Sequence, residues 1–190
     1  MIVGICGTYD DTYSSGIRGN GKTCTMTALL KKDKDKSKRE VYTNYYTTFS
    51  HVLTTQEIIN LLKEGELYNT TIGIDEIQII VNSLGTKGKI VNFIDSAIAQ
   101  TRKYEVDLYY ASQRFLNVNN RLRIQTDVFL LPEKRHLDNS LCCVDRCIKE
   151  HRIYVYSKCP FRKDPIMKIN PVIVGKYYNT REPVNESIEL

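Results

Sequence analysis

The chain has 190 residues, 42% of them hydrophobic and 26% charged, with a formal net charge of +5. That length suffices for one domain with a real core and is short for two, and the composition is that of a globular chain, which excludes disordered and fibrous classes. No stretch approaches the roughly 18 apolar residues of a membrane helix, so no membrane span is expected, and the mild basicity permits contact with nucleic-acid phosphates without requiring it.

In chain order, "MIVGIC" is a first strand ending at Cys6. It has no positive region or cleavage site, so no signal peptide is expected and the protein is placed inside the cell. "GTYDDTYSS" follows, and then "GIRGNGKT" at 16–23. "KTCTMTALLKK" reads as a helix after that loop. The charge run "KKDKDKSKRE" (31–40) reads as a solvated turn, with DNA contact as the other reading. "VYTNYYT" (41–47) reads as a strand. Thr54 and Glu57 have capping-box spacing and open a helix, "QEIINLLKEG", which Gly65 closes. "TIGIDEIQII" (71–80) reads as a buried strand ending in acids. Ile90, Phe93, Ile94, Ala97 and Ile98 mark one face of a helix reaching about Lys103. "VDLYYASQR" (106–114) and "DVFLL" (127–131) are further strands. "HRIYVYSK" and "NPVIVGKYYN" read as strands with no helix of fair length between them.

Strands alternating with helices to about residue 132 predict an α/β protein with a mostly parallel central sheet covered on both faces, extended by antiparallel strands near the C-terminus. The expected organisation is one domain over 1–190, with a core at 1–132 and a β extension at 133–190. Among the six cysteines, Cys143, Cys147 and Cys159 with His151 have the residue types of a zinc site. The strand-like alternation and the lack of a C-x-x-C pair favour plain thiols over a disulfide or a metal.

Residues 16–23 satisfy G-x-x-x-x-G-K-[ST], the phosphate-binding loop. Its glycines let backbone N–H groups turn toward phosphate oxygens, Lys22 neutralises the β and γ phosphates, and Thr23 offers a hydroxyl to Mg2+. The expected nucleotide-binding set is Gly16, Arg18, Gly19, Asn20, Gly21, Lys22, Thr23 and Cys24, for ATP. Asp75, closing a buried strand, is the expected second metal residue, and Glu76 the group that polarises the attacking water. Two solvated acids after a strand would look the same in isolation; the loop upstream favours the catalytic reading. Gln113, just past an apolar strand, is placed to hydrogen-bond the γ-phosphate and the lytic water. No N-K-x-D-like base reader and no L-S-G-G-Q segment is present.

These motifs in this order resemble the FtsK–HerA superfamily of P-loop ATPases. "IDEIQ" is similar to the D-E-x-Q form of the acidic motif, "VYTNYYT" to the strand-plus-asparagine segment after the first helix, and "AQTRKYEVDLYYASQR" and "NNRLRIQTDVFLL" to the stretches around the glutamine strand. The likeness is greatest to genome-packaging ATPases of archaeal and membrane-containing viruses, and to the Zot-like phage assembly proteins. The resemblance implies an ATP-hydrolysing, Mg2+-dependent translocase of double-stranded DNA in a hexameric or pentameric homo-oligomeric ring. It implies a neighbour's arginine at the γ-phosphate, for which Arg102 and Arg123 match. It also implies a capsid or portal-like vertex partner, and a location in the host cytoplasm or with the virion. The excursion between Cys6 and Gly16 departs from the family, whose strand runs directly into the loop. A Zot-like assembly motor, or a nucleotide-gated structural module with little turnover, are the other readings.

Overall fold

The computed structural model describes residues 1–8, 20–78, 99, 101, 103–142, 147, 149–157 and 164–179. Eight strands form one sheet: β1 (Ile2–Thr8), β2 (Glu40–Thr43), β3 (His51–Val52), β4 (Thr70–Ile74), β5 (Asp107–Arg114), β6 (Val128–His136), β7 (His151–Ser157) and β8 (Met167–Ile169). Their spatial order is β3-β2-β4-β5-β1-β6-β7-β8. The first six in that order run parallel, and β7 and β8 add antiparallel at one edge. The mostly parallel sheet with an antiparallel C-terminal edge is the expected fold class.

Alternation along the strands divides the core. From β5, Leu108 and Tyr110 join Ile72 and Ile74 of β4 under helix α2 (Thr55–Glu64), whose Ile58, Ile59 and Leu62 face them. Tyr109 and Ala111 point the other way, toward Cys24, Met26 and Leu30 of helix α1 (Lys22–Ser37). Successive strand side chains emerge on opposite faces, so a strand covered on both sides must be apolar throughout. α2 starts at Thr54 with the expected capping box and stops at Gly65, whose φ of 73° is left-handed.

Several expectations require correction. The charge run is no turn: α1 continues through it to Ser37. Lys31 pairs with Asp35 at i,i+4, Asp33 accepts the Tyr109 hydroxyl at 2.6 Å, and Lys34 and Lys36 sit at the negative end of the helix dipole. The strand expected at 127–131 runs on to His136. Its pairing with β1 stops at Leu130 and pairing with β7 takes over, which also accommodates Pro132. "NPVIVGKYYN" is not a strand. Asn170 caps a short helix, α4 (Pro171–Val174), by accepting from the Val172 N–H at 3.1 Å, and Pro171 stands where its missing N–H costs nothing. A further short helix, α3 (Asn120–Gln125), follows a 3-10 turn at Phe115–Asn117. Of the helix expected up to Lys103, Ala99, Thr101 and Lys103 are helical, and Ile90 to Ile98 lie outside the described residues.

Candidate active site at the carboxyl ends of the parallel strands

β1, β4 and β5 end on one rim of the sheet, with β5 between the other two. α1 begins at that rim. Gly21 precedes it with φ of 91°, and a Cβ there would stand 2.5 Å from Ile153 Cδ1, so both conformation and space require glycine. The first turn of α1 holds no acidic residue, leaving its N–H groups and the positive end of the dipole open to an anion.

Lys22 is buried at this point. Its Cδ lies 3.5 Å from where a Cβ on Gly7 of β1 would be, and Asn20 Nδ2 donates to the Gly7 carbonyl at 3.1 Å, tying the loop to the strand end. One residue on, Thr23 Oγ1 donates to Asp75 Oδ2 at 2.7 Å. This contact joins α1 to the end of β4 across 52 residues. Burial raises the Asp75 carboxyl above its ordinary range and adjacent Glu76 adds to this, while the Thr23 hydroxyl and Lys22 oppose it. A hydroxyl and a buried carboxylate in contact, with a lysine beside them, form a hard oxygen donor set that fits Mg2+.

Asp75 is held by a residue outside the expected set. Asn44, fully buried at the end of β2, accepts from the Asp75 N–H at 2.8 Å and donates to the Asp75 carbonyl at 3.1 Å. Its amide also reaches Thr55 Oγ1 at 3.3 Å. Asn44→Ala leaves both backbone groups of Asp75 buried and unpaired. It is expected to destabilise the fold by about 2–4 kcal/mol in urea denaturation; a loss below about 0.5 kcal/mol would show that Asn44 does not support the acidic strand end. The signal was present in the sequence as the strand-plus-asparagine segment.

Glu76 is half-buried and has φ of 52°, a left-handed conformation that costs a non-glycine residue about 1–3 kcal/mol. Gln78 donates to its carboxylate, and Gln78 Oε1 stays buried with no hydrogen bond among the described residues. Gln113 lies within β5, not past its end, and half-buried. Its carbonyl is 2.7 Å from the Cβ position of Gly7, so β1 and β5 meet closely where Lys22 crosses.

Lys22, Thr23, Asp75, Glu76 and Gln113 thus converge on one rim. Cys24 turns into the core, where burial pushes its thiol up to about 11 against a hydrogen bond from Tyr178. A raised folded pKa keeps the thiol protonated at neutral pH, so Cys24 should resist iodoacetamide at pH 8 in the native protein and react once unfolded, as peptide mass mapping would reveal. Arg123 stands elsewhere in its own chain. It lies in the last turn of α3, with its guanidinium 5.1 Å over the Phe115 ring. α3 leads to Asp127, which pairs with Ile2 at the amino end of β1. Gly16, Arg18, Gly19 and Arg102 lie outside the described residues.

A mostly parallel sheet, a glycine–lysine–threonine helix start and an acidic residue from a separate strand define a P-loop NTPase fold. The structure is similar to the genome packaging NTPase B204 of Sulfolobus turreted icosahedral virus 2, solved with ATP-gammaS, with a TM-score of 0.52 and 13% identity over 85% of this chain and 98% of that one. It is similar to the N-terminal domain of zonular occludens toxin from Neisseria meningitidis, with a TM-score of 0.52 and 17% identity over 93% and 90%. A KaiC-like protein of Pyrococcus horikoshii also aligns, with a TM-score of 0.52 and 12% identity over 88% and 82%. No family model matches the chain, and no curated protein sequence matches it. The first two likenesses are the ones the sequence motifs implied.

Proposed function

We propose that the protein hydrolyses ATP with Mg2+ and uses the energy to move double-stranded DNA, packaging a viral genome into a capsid. The observation that carries the hydrolytic part is the 2.7 Å contact of Thr23 with Asp75 beside buried Lys22. The likeness to B204, named as a genome packaging NTPase, supports the DNA part.

The first turn of α1 and Lys22 bind the β and γ phosphates. Thr23 and Asp75 would hold Mg2+, which would neutralise phosphate charge. Glu76 accepts a proton from the attacking water, and Gln113 orients that water from the strand between the loop and the acids. A neighbouring subunit of a hexameric or pentameric ring supplies Arg102 or Arg123 to the γ-phosphate. A capsid or portal-like vertex protein anchors the ring, in the host cytoplasm or with the virion.

The test is steady-state ATPase activity of the purified chain with and without duplex DNA. Turnover that duplex DNA stimulates supports the reading; Mg2+-dependent turnover indifferent to DNA removes translocation and leaves an ATPase. A Zot-like assembly motor is the second reading, favoured by the likeness to the zonular occludens toxin domain. Among the described residues no helix is long and apolar enough to cross a membrane.

A further inference from the structure

The connection between β6 and β7 carries side-chain chemistry that phosphate binding does not use. In the antiparallel register His136 stands directly opposite His151, and their ring centroids are 4.7 Å apart. After His136 the chain turns back at once: Asn139 N donates to the His136 carbonyl at 3.0 Å and His136 N donates to the Ser140 carbonyl at 2.9 Å. Cys142 N then donates to the Lys134 carbonyl at 3.0 Å. That turn lays the Cys142 sulfur 3.1 Å from His151 Nε2. Cys147 completes the group: one donor atom from each of His136, Cys142, Cys147 and His151 lies within 4.8 Å of every other. Cys142 is buried and the other three are half-buried. His136 Nδ1 is buried without a hydrogen bond among the described residues.

We propose that His136, Cys142, Cys147 and His151 bind one Zn2+ as a structural Cys2His2 site. Two thiolates and two imidazoles are a donor set that selects zinc in tetrahedral geometry over the oxygen-seeking cations. Four residues separate Cys142 from Cys147, inside the ligand spacing of structural zinc sites. Bonds of about 2.3 Å to sulfur and about 2.0–2.1 Å to nitrogen hold tetrahedral ligands about 3.3–3.8 Å apart. The cluster closes on an ion by small side-chain rotations. Four protein ligands leave no open position, so the ion is structural, and it gives a buried ring nitrogen a partner.

None of the described cysteines forms a disulfide. The metal would join the ends of β6 and β7 across the connection between them, adding a cross-link to the strand pairing. It also reaches toward the phosphate rim. His151 and Ile153 share one face of β7, and Ile153 fills the space beside Gly21 at the start of α1. The ion pins the strand two residues from that contact. This set differs from the Cys143, Cys147, His151 and Cys159 group that the sequence suggested, because strand pairing brings His136 and Cys142 to His151. Cys143 and Cys159 lie outside the described residues.

The test is elemental analysis of the full chain purified without chelator, with native mass spectrometry beside it and the Co2+-reconstituted protein examined by visible absorption. The expected result is about one zinc per chain, and a Co2+ form with tetrahedral ligand-field bands and a thiolate charge-transfer band. Cys142→Ser and His151→Ala should each lower the bound zinc at least about tenfold, whereas Cys143→Ser and Cys159→Ser should leave it unchanged. Should the first two variants fail to fold, the Co2+ spectrum of the unaltered chain still reports the thiolate ligands. Protein that holds no zinc and gives only the octahedral Co2+ spectrum overturns the site. So does a Cys142–Cys147 disulfide in the non-reduced intact protein, and so does loss of the metal in Cys143→Ser or Cys159→Ser.

Discussion

Glu76→Gln is expected to bind ATP with unchanged affinity and to hydrolyse it about 10²–10⁴ times more slowly, the usual cost of removing a positioned general base. The substitution preserves size and leaves the backbone at φ of 52° as it is. It leaves the Thr23–Asp75 contact and buried Lys22 untouched, so nucleotide binding and catalysis separate cleanly. The amide of Gln78, which donates to the Glu76 carboxylate, loses a charged acceptor and keeps a neutral one. Equilibrium binding of a fluorescent ATP analogue, beside single-turnover hydrolysis, reads the two effects apart. A Glu76→Gln protein with more than half the normal turnover would show that another group activates the water. Gln78 and Gln113 would then be the residues to replace next.

The arginine that stabilises the charge developing on the γ-phosphate is expected to come from a neighbouring subunit and to be worth about 10³–10⁵ in rate. The site lies at the carboxyl ends of β1, β4 and β5, and the expected neighbour would seat against that rim. Arg102 and Arg123 are the candidates. Arg123, in the last turn of α3 near the amino end of β1, stacks on Phe115 of its own chain, so it serves only from a neighbour whose α3 faces this rim. Alanine at the true finger should leave ATP binding intact while hydrolysis collapses. Lys22→Ala should abolish hydrolysis in its own site and keep the fold, because the proposed role of Lys22 is to bind phosphate and not to pack in either apolar cluster. Mixing the two inactive proteins should restore part of the activity, since a site with intact Lys22 then meets an intact arginine. Activity per subunit should fall on dilution. Absence of rescue with either arginine variant, together with activity that stays flat on dilution to a proven monomer, would exclude the borrowed arginine.

Residues within a few positions of one another carried most of the reading. The capping box of Thr54 and Glu57 and the stop at Gly65 act between neighbours on one helix turn, and both stand as expected. Pro171 after Asn170 was an equally local helix signal, yet the apolar run behind it reads as a strand because periodicity cannot separate short apolar helices from strands. The charge run at 31–40 misleads for a related reason. Lysines and aspartates look like a solvated turn until their i,i+4 spacing is counted.

By itself the sequence determined the chemistry on offer. A glycine-rich stretch ending in Lys22 and Thr23, an apolar strand closing on Asp75 and Glu76, and Gln113 near the end of another strand are short motifs, with the residue types that phosphate binding calls for. The tertiary structure alone decided which groups meet. It brought Thr23 to Asp75 across 52 residues, set Asn44 to hold Asp75 from a third strand, and placed β5 between β1 and β4. It also extended β6 to His136, where pairing with β7 faces that histidine with His151 and gathers Cys142 and Cys147 beside them. The physical reason is one of range. Caps, turns and helix spacing are satisfied within a turn or two of chain. Strand order and register are settled by burial and hydrogen bonding between segments far apart in sequence, which no local pattern records.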